Sequence, residues 1–79
     1  MTSTFFTTPN SRPVYKLRAR EVQVLQCVAD GMPNKEIAQE LGISPGTVKV
    51  HLAKAARKFG TSGDRAGLVY MALKNGLIQ

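Results

Sequence analysis

Apolar residues along this chain recur at helical rather than strand spacing, and glycines cut the pattern into segments. Val24, Leu25, Val28 and Ala29 form one stripe, with Leu17 and Met32 at its ends, and Ile37, Ala38 and Leu41 form a second. Gly31, Gly42, Gly60 and Gly76 each follow such a segment, where a helix commonly closes on a left-handed residue. The pattern predicts helices over about residues 18–30, 34–41, 45–59 and 65–75, and so an all-α, four-helix domain. The stripes are read as core rather than as a ligand pocket. Residues 1–16 show no such period, are rich in Thr, Ser, Pro and Asn, and contain Pro9 and Pro13. They are read as a flexible arm before a domain over 17–79, with Phe5 and Phe6 as apolar exceptions that carry no site.

The third helix has the best-specified start. Ser44 can accept a hydrogen bond from a free amide of the first turn, and Pro45, at the first helical position, has no amide to leave unpaired. Residues 37–48 therefore read as helix, tight turn with Gly42, and second helix, with Ile37, Ala38, Leu41, Ile43 and Val48 packing the two together. That is helix-turn-helix spacing.

Composition narrows the function. A chain of 79 residues supports one small core, because a domain of this size buries only about 60 % of its unfolded surface. The single Cys27 excludes an intrachain disulfide, no Cys/His cluster offers a zinc site, and no run approaches the roughly 18 apolar residues of a membrane helix. A cytoplasmic protein without cofactor or metal, neither secreted nor in a membrane, is expected. Eleven Lys and Arg against five Asp and Glu give a formal charge of +6, which favours polyanionic partners. That charge is asymmetric. Between Ser44 and Gly60 stand Lys49, Lys54, Arg57 and Lys58 with no acid, whereas Glu36 and Glu40 lie on the preceding helix.

Over residues 17–78 the chain resembles the LuxR/FixJ-type (GerE-like) DNA-binding domain. The resemblance is carried by Arg20-Glu21, Val24-Leu25, Ala29, Gly31, Asn34-Lys35-Glu36-Ile37-Ala38, Leu41, Ile43-Ser44, Thr47-Val48-Lys49-Val50-His51, Lys58, Arg65 and the closing Gly76-Leu77-Ile78. It implies a winged-less helix-turn-helix domain whose third helix enters the DNA major groove and whose fourth forms a dimer contact. The length leaves no room for the phosphoacceptor or small-molecule domain of the best-known members, so a stand-alone member, associated with the nucleoid when bound to DNA, is expected. Arg18 stands where the family has a capping Thr, which deprives Glu21 of its capping-box partner and predicts a frayed helix start. Pro33 precedes Asn34 in the cap position, Ala55 and Ala56 replace larger aliphatics, and the linker Gly60 to Asp64 is one residue longer than usual.

A helix in the major groove meets base edges with its early residues and phosphates with the basic side chains that flank them. Lys49 is thus the candidate for guanine O6 or N7, and Val50 for a thymine methyl. Ser44 and Thr47 at the helix start, Asn34 and Lys35 on the second helix, and His51, Lys54, Arg57 and Lys58 along the third are the candidate backbone contacts. His51 lacks the second His, carboxylate or nucleophile that catalysis would need, so an enzyme is not expected. In the fourth helix Leu68, Val69 and Ala72, with Leu77 and Ile78, read as core. Gly67, Tyr70, Met71 and the stem of Lys74 form a second stripe on the opposite side, the expected homodimer interface. The alternative use of that face is capture of a full-length related regulator, which would make the protein an antagonist.

Overall fold

A computed structural model describes residues 16–61 and 63–79. The expected arm, with Phe5 and Phe6, lies outside the described residues apart from Lys16. The described chain forms α1 (Ala19–Ala29), α2 (Asn34–Leu41), α3 (Pro45–Phe59) and α4 (Arg65–Lys74), with no strand among the described residues. All four helices start and end within a residue or so of the positions that the apolar pattern predicts.

Helix α3 is the hub: α1, α2 and α4 all pack on it, and α1 touches each of the others. Val24, Leu25, Ile37, Val48, Ala55, Leu68 and Ala72 are fully buried and join Val28, Ala38, Leu52, Ala56, Phe59 and Ile78 in one core. Leu17, Met32, Leu41, Ile43, Val69 and Leu77, all read as core or packing positions, are half-buried around it. The alanines of α3 have a structural use. A Cβ built on Gly63 would lie 3.7 Å from the Ala56 Cβ, and the Thr61 amide donates to the Ala56 carbonyl at 2.9 Å, so Thr61 and Gly63 both lie close to this small residue.

The turn between α2 and α3 is closed from both ends. Gly42 adopts φ 70°, a left-handed value that a side chain would strain, and the Ile43 amide then reaches the Ala38 carbonyl at 3.0 Å. Two residues later Ser44 Oγ accepts from the Thr47 amide at 3.1 Å, with Pro45 as the first helical residue. Asp64 caps α4 in the same way, accepting from the Gly67 amide at 3.1 Å.

The start of α1 is better held than the loss of the capping Thr predicts. A guanidinium has no acceptor, so Arg18 cannot cap the helix with its side chain. Glu21 nevertheless reaches back to accept from the Arg18 amide at 3.0 Å, and it also accepts from Lys58 Nζ at 2.8 Å, across from α3. Glu21 is only 1 % exposed. The fraying expectation is corrected by a partner 37 positions away in sequence. At the other end the chain returns to α1, where Gln26 donates to the Gln79 carbonyl and accepts from the Gln79 amide.

Candidate nucleic-acid interface

The outer face of α3 is basic and carries no acid. Lys49, Val50, Ala53, Lys54 and Arg57 are exposed along it, Val50 by 48 % despite its apolar side chain. The face begins at a rigid end, since Ser44 Oγ lies 2.9 Å from Thr47 Oγ1 as well as accepting the Thr47 amide. Two hydroxyls thus crowd the free amides of a helix start, an arrangement that favours a phosphate oxygen. Arg57 and Lys58 at the far end complement the negative pole of the same helix.

Of the candidate backbone contacts, Lys35 is exposed at the start of α2 and Lys54 on α3. His51 is half-buried, and its Nδ1 is enclosed with no hydrogen-bond partner among the described residues. Asn34 is half-buried because its Oδ1 accepts from Arg65 Nη1 at 2.6 Å, and Arg65 Nη2 donates to the Met32 carbonyl at 2.9 Å. The side chain of Arg65 therefore fastens the start of α4 to the start of α2, two helices that otherwise do not pack on each other.

Lys58 stands apart from the other cations. Its ammonium is committed to Glu21, and its side chain is 34 % exposed. Burial pushes the Glu21 carboxyl up, but the bond from Lys58, the bond from the Arg18 amide and the Lys58 charge together outweigh it and hold the group below its ordinary value. A depressed carboxyl contributes stability that is fully present above the ordinary glutamate value and is lost as pH falls through the folded one.

The candidate dimer residues divide. Tyr70 and Lys74 are exposed, with the Lys74 ammonium 5.6 Å from the centre of the Tyr70 ring. Gly67 is half-buried beside Asp64 and Thr61, and Met71 is half-buried against the core. The open apolar surface lies one step round the helix, where Ala66, Val69, Tyr70 and Leu73 border a groove against Val28 and Ala29 of α1. Leu73 is 49 % exposed. The spacing of residues 66, 69, 70 and 73 was visible in the sequence as a signal, but Val69 reads equally well as core until α1 is in place.

Nothing in the described chain gathers a metal site, since no three His, Cys, Asp or Glu side chains converge among the described residues. Cys27 is half-buried, and burial followed by the charges of Glu40 and Asp30 pushes its thiol up, away from the reactive thiolate. No described helix is long and apolar enough to cross a membrane.

A short capped turn leading into an exposed basic helix is the geometry of a DNA-reading head, and the sequence pattern of the GerE family, bacterial regulatory proteins of the luxR family, matches residues 16–72. The chain belongs to this family. The matched segment is the helix-turn-helix DNA-binding domain of that family. It is 54 % identical over 48 residues to the transcriptional regulatory protein UhpA of Escherichia coli, a match covering 61 % of this chain and 24 % of UhpA. It is also 46 % identical over 61 residues to the transcriptional regulatory protein FixJ of Azorhizobium caulinodans, covering 77 % of this chain and 28 % of FixJ. With LiaR of Bacillus subtilis it shares 38 % identity over 69 residues, 87 % of this chain and 32 % of LiaR. The chain thus spans about a quarter to a third of the length of these relatives.

Proposed function

We propose that this LuxR-family domain binds duplex DNA sequence-specifically through α3 in the major groove, as a homodimer joined through α4, and so regulates transcription. The observation that carries the reading is the outer face of α3, where Lys49, Lys54 and Arg57 surround an exposed Val50 on a helix whose start is locked by Ser44. Long cations meet phosphates, and an exposed methyl-bearing side chain between them has a use at a thymine methyl. Lys49 and Val50 face the bases. Asn34, Lys35, Ser44, Thr47, His51, Lys54 and Arg57 face the backbone, while Lys58 contributes mainly through Glu21. The apolar groove of α4 and α1 supports the dimer, because a short helix with an open apolar face buries it against a partner.

Selection of binding sites from random duplex DNA tests both halves of the proposal. An enriched inverted repeat with half-sites about one helical turn apart is expected, as for a symmetric pair of reading heads. Recovery of unselected sequence would overturn it. A second reading draws on the same α4 groove: the face takes a full-length relative in place of a second copy, and the chain acts as an antagonist. Half-buried Met71 contributes less to either contact than exposed Tyr70 and Leu73.

A further inference from the structure

A groove of about 500 Å³ runs along the α2 side of α3, between the first residue of α2, the exposed stripe of α3 and the loop into α4. Lys49, Arg57 and Arg65 stand on its wall, and no carboxylate does among the described residues that line it. Lys49, Ala53 and Arg57 follow one another at four-residue steps, so they share a face. The small Ala53 between two long cations leaves the space open. Arg65 comes from the opposite wall. Its two bonds to Asn34 and the Met32 carbonyl fix the guanidinium plane, yet they use only two of its five N–H donors. A cation held by neutral acceptors in this way keeps its full charge for a ligand, and it has already lost the side-chain freedom that binding would otherwise cost.

Resting on the DNA-binding reading above, we propose that this groove is a phosphate seat: one phosphodiester of the DNA backbone sits between Arg57 and Arg65, with the Thr61 hydroxyl as a neutral donor. The seat extends the DNA contact beyond α2 and α3 to the first residue of α4 and the loop before it. A backbone phosphate held there fixes the start of α4 relative to one DNA strand. Lys49, at the far end of the groove, remains directed to the base edges.

The test walks a neutral methylphosphonate along each strand of a selected site, one position at a time, and measures affinity for the wild type, Arg65→Gln, Arg57→Gln and the double variant. At one position neutralisation is expected to weaken wild-type binding roughly tenfold, to weaken each variant markedly less because one of the two cations at that phosphate is already gone, and to have little effect on the double variant Arg57→Gln/Arg65→Gln. The double variant should also lower the slope of log affinity against log salt by about 0.9, the worth of one phosphate, and each single variant by less. If both variants lose affinity while every methylphosphonate position keeps its wild-type effect, Arg65 is only a brace between α4 and α2, and the proposal falls. Arg57 is exposed on α3, so Arg57→Gln keeps the test open should Arg65→Gln fail to fold. Saturable binding of inorganic phosphate to this groove without DNA, at micromolar concentration, would make it a free-anion site and would equally overturn the proposal. Wild-type protein with no sequence preference would instead overturn the DNA-binding reading itself.

Discussion

Helices α3 and α4 each press one face into the same core and leave the other in water, and the two outer faces differ in kind. That of α3 carries Lys49, Lys54 and Arg57, side chains that water solvates well and that a polyanion solvates better. That of α4 carries Ala66, Val69, Tyr70 and Leu73 along an apolar groove, surface that water solvates poorly. The first is stable exposed and gains from charge; the second gains from being covered. One small domain thus offers two surfaces of different kind: a charged one on α3 that Arg65 at the start of α4 also borders, and an apolar one further along α4.

The largest expected effect breaks the α4 side. In an isologous contact a charge placed on Leu73 faces the same charge on the other copy, so Leu73→Glu should abolish the dimer while leaving the buried core untouched. Because linkage of two reading heads is worth roughly a hundredfold or more, affinity for a full inverted repeat should fall by about that factor while affinity for one half-site stays nearly constant. Sedimentation of the free protein and titration of both DNAs check this, and an unchanged full-site affinity would favour the antagonist reading. The next effect breaks the α3 side. Lys49→Ala should cost about 1–3 kcal/mol on the specific site and much less on random DNA, which titrations on both measure; equal losses would assign Lys49 to a phosphate.

Two smaller effects sharpen the contrast. Glu21→Gln should lower stability by about 1–2 kcal/mol in chemical denaturation near neutral pH, and the difference from wild type should shrink as pH falls through the folded value of the Glu21 carboxyl. The same substitution releases the Lys58 charge, so non-specific DNA affinity should rise, with a salt slope steeper by up to about 0.9. Last, Ser44→Ala and Asp64→Ala should each cost about 1 kcal/mol of stability, since each removes a helix cap. Ser44→Ala should weaken DNA binding more than Asp64→Ala, because the Ser44 cap starts α3 itself whereas the Asp64 cap only positions Arg65. Thermal melts paired with DNA titrations separate the two.

What the sequence made legible is what local chemistry decides. Ser44-Pro45 announces the start of α3 and Gly42 the end of α2, because capping and left-handed backbone depend on neighbours within a few residues. The basic run of α3 is equally plain. What stayed hidden depends on distant pairings. Lys58 reads as one more cation for DNA until Glu21 is brought beside it, and Arg65 reads as a family marker until Asn34, 31 positions earlier, meets it. The outer face of α4 was hardest to read, because the helix is apolar on two sides and only the placement of α1 decides that Met71 turns toward the core while Leu73 stays open.

The central position of α3 bears on how the domain opens. Since α1, α2 and α4 all pack on it, Val48, Leu52 and Ala55 cannot be exposed without undoing the contacts of every other helix. Their amides should therefore exchange with solvent only through global unfolding, while those near the end of α4 exchange through local fraying. The helix proposed to meet DNA is then the last to melt, so its backbone is already in final shape before docking, and only exposed side chains such as Lys49 and Lys54 have freedom left to lose.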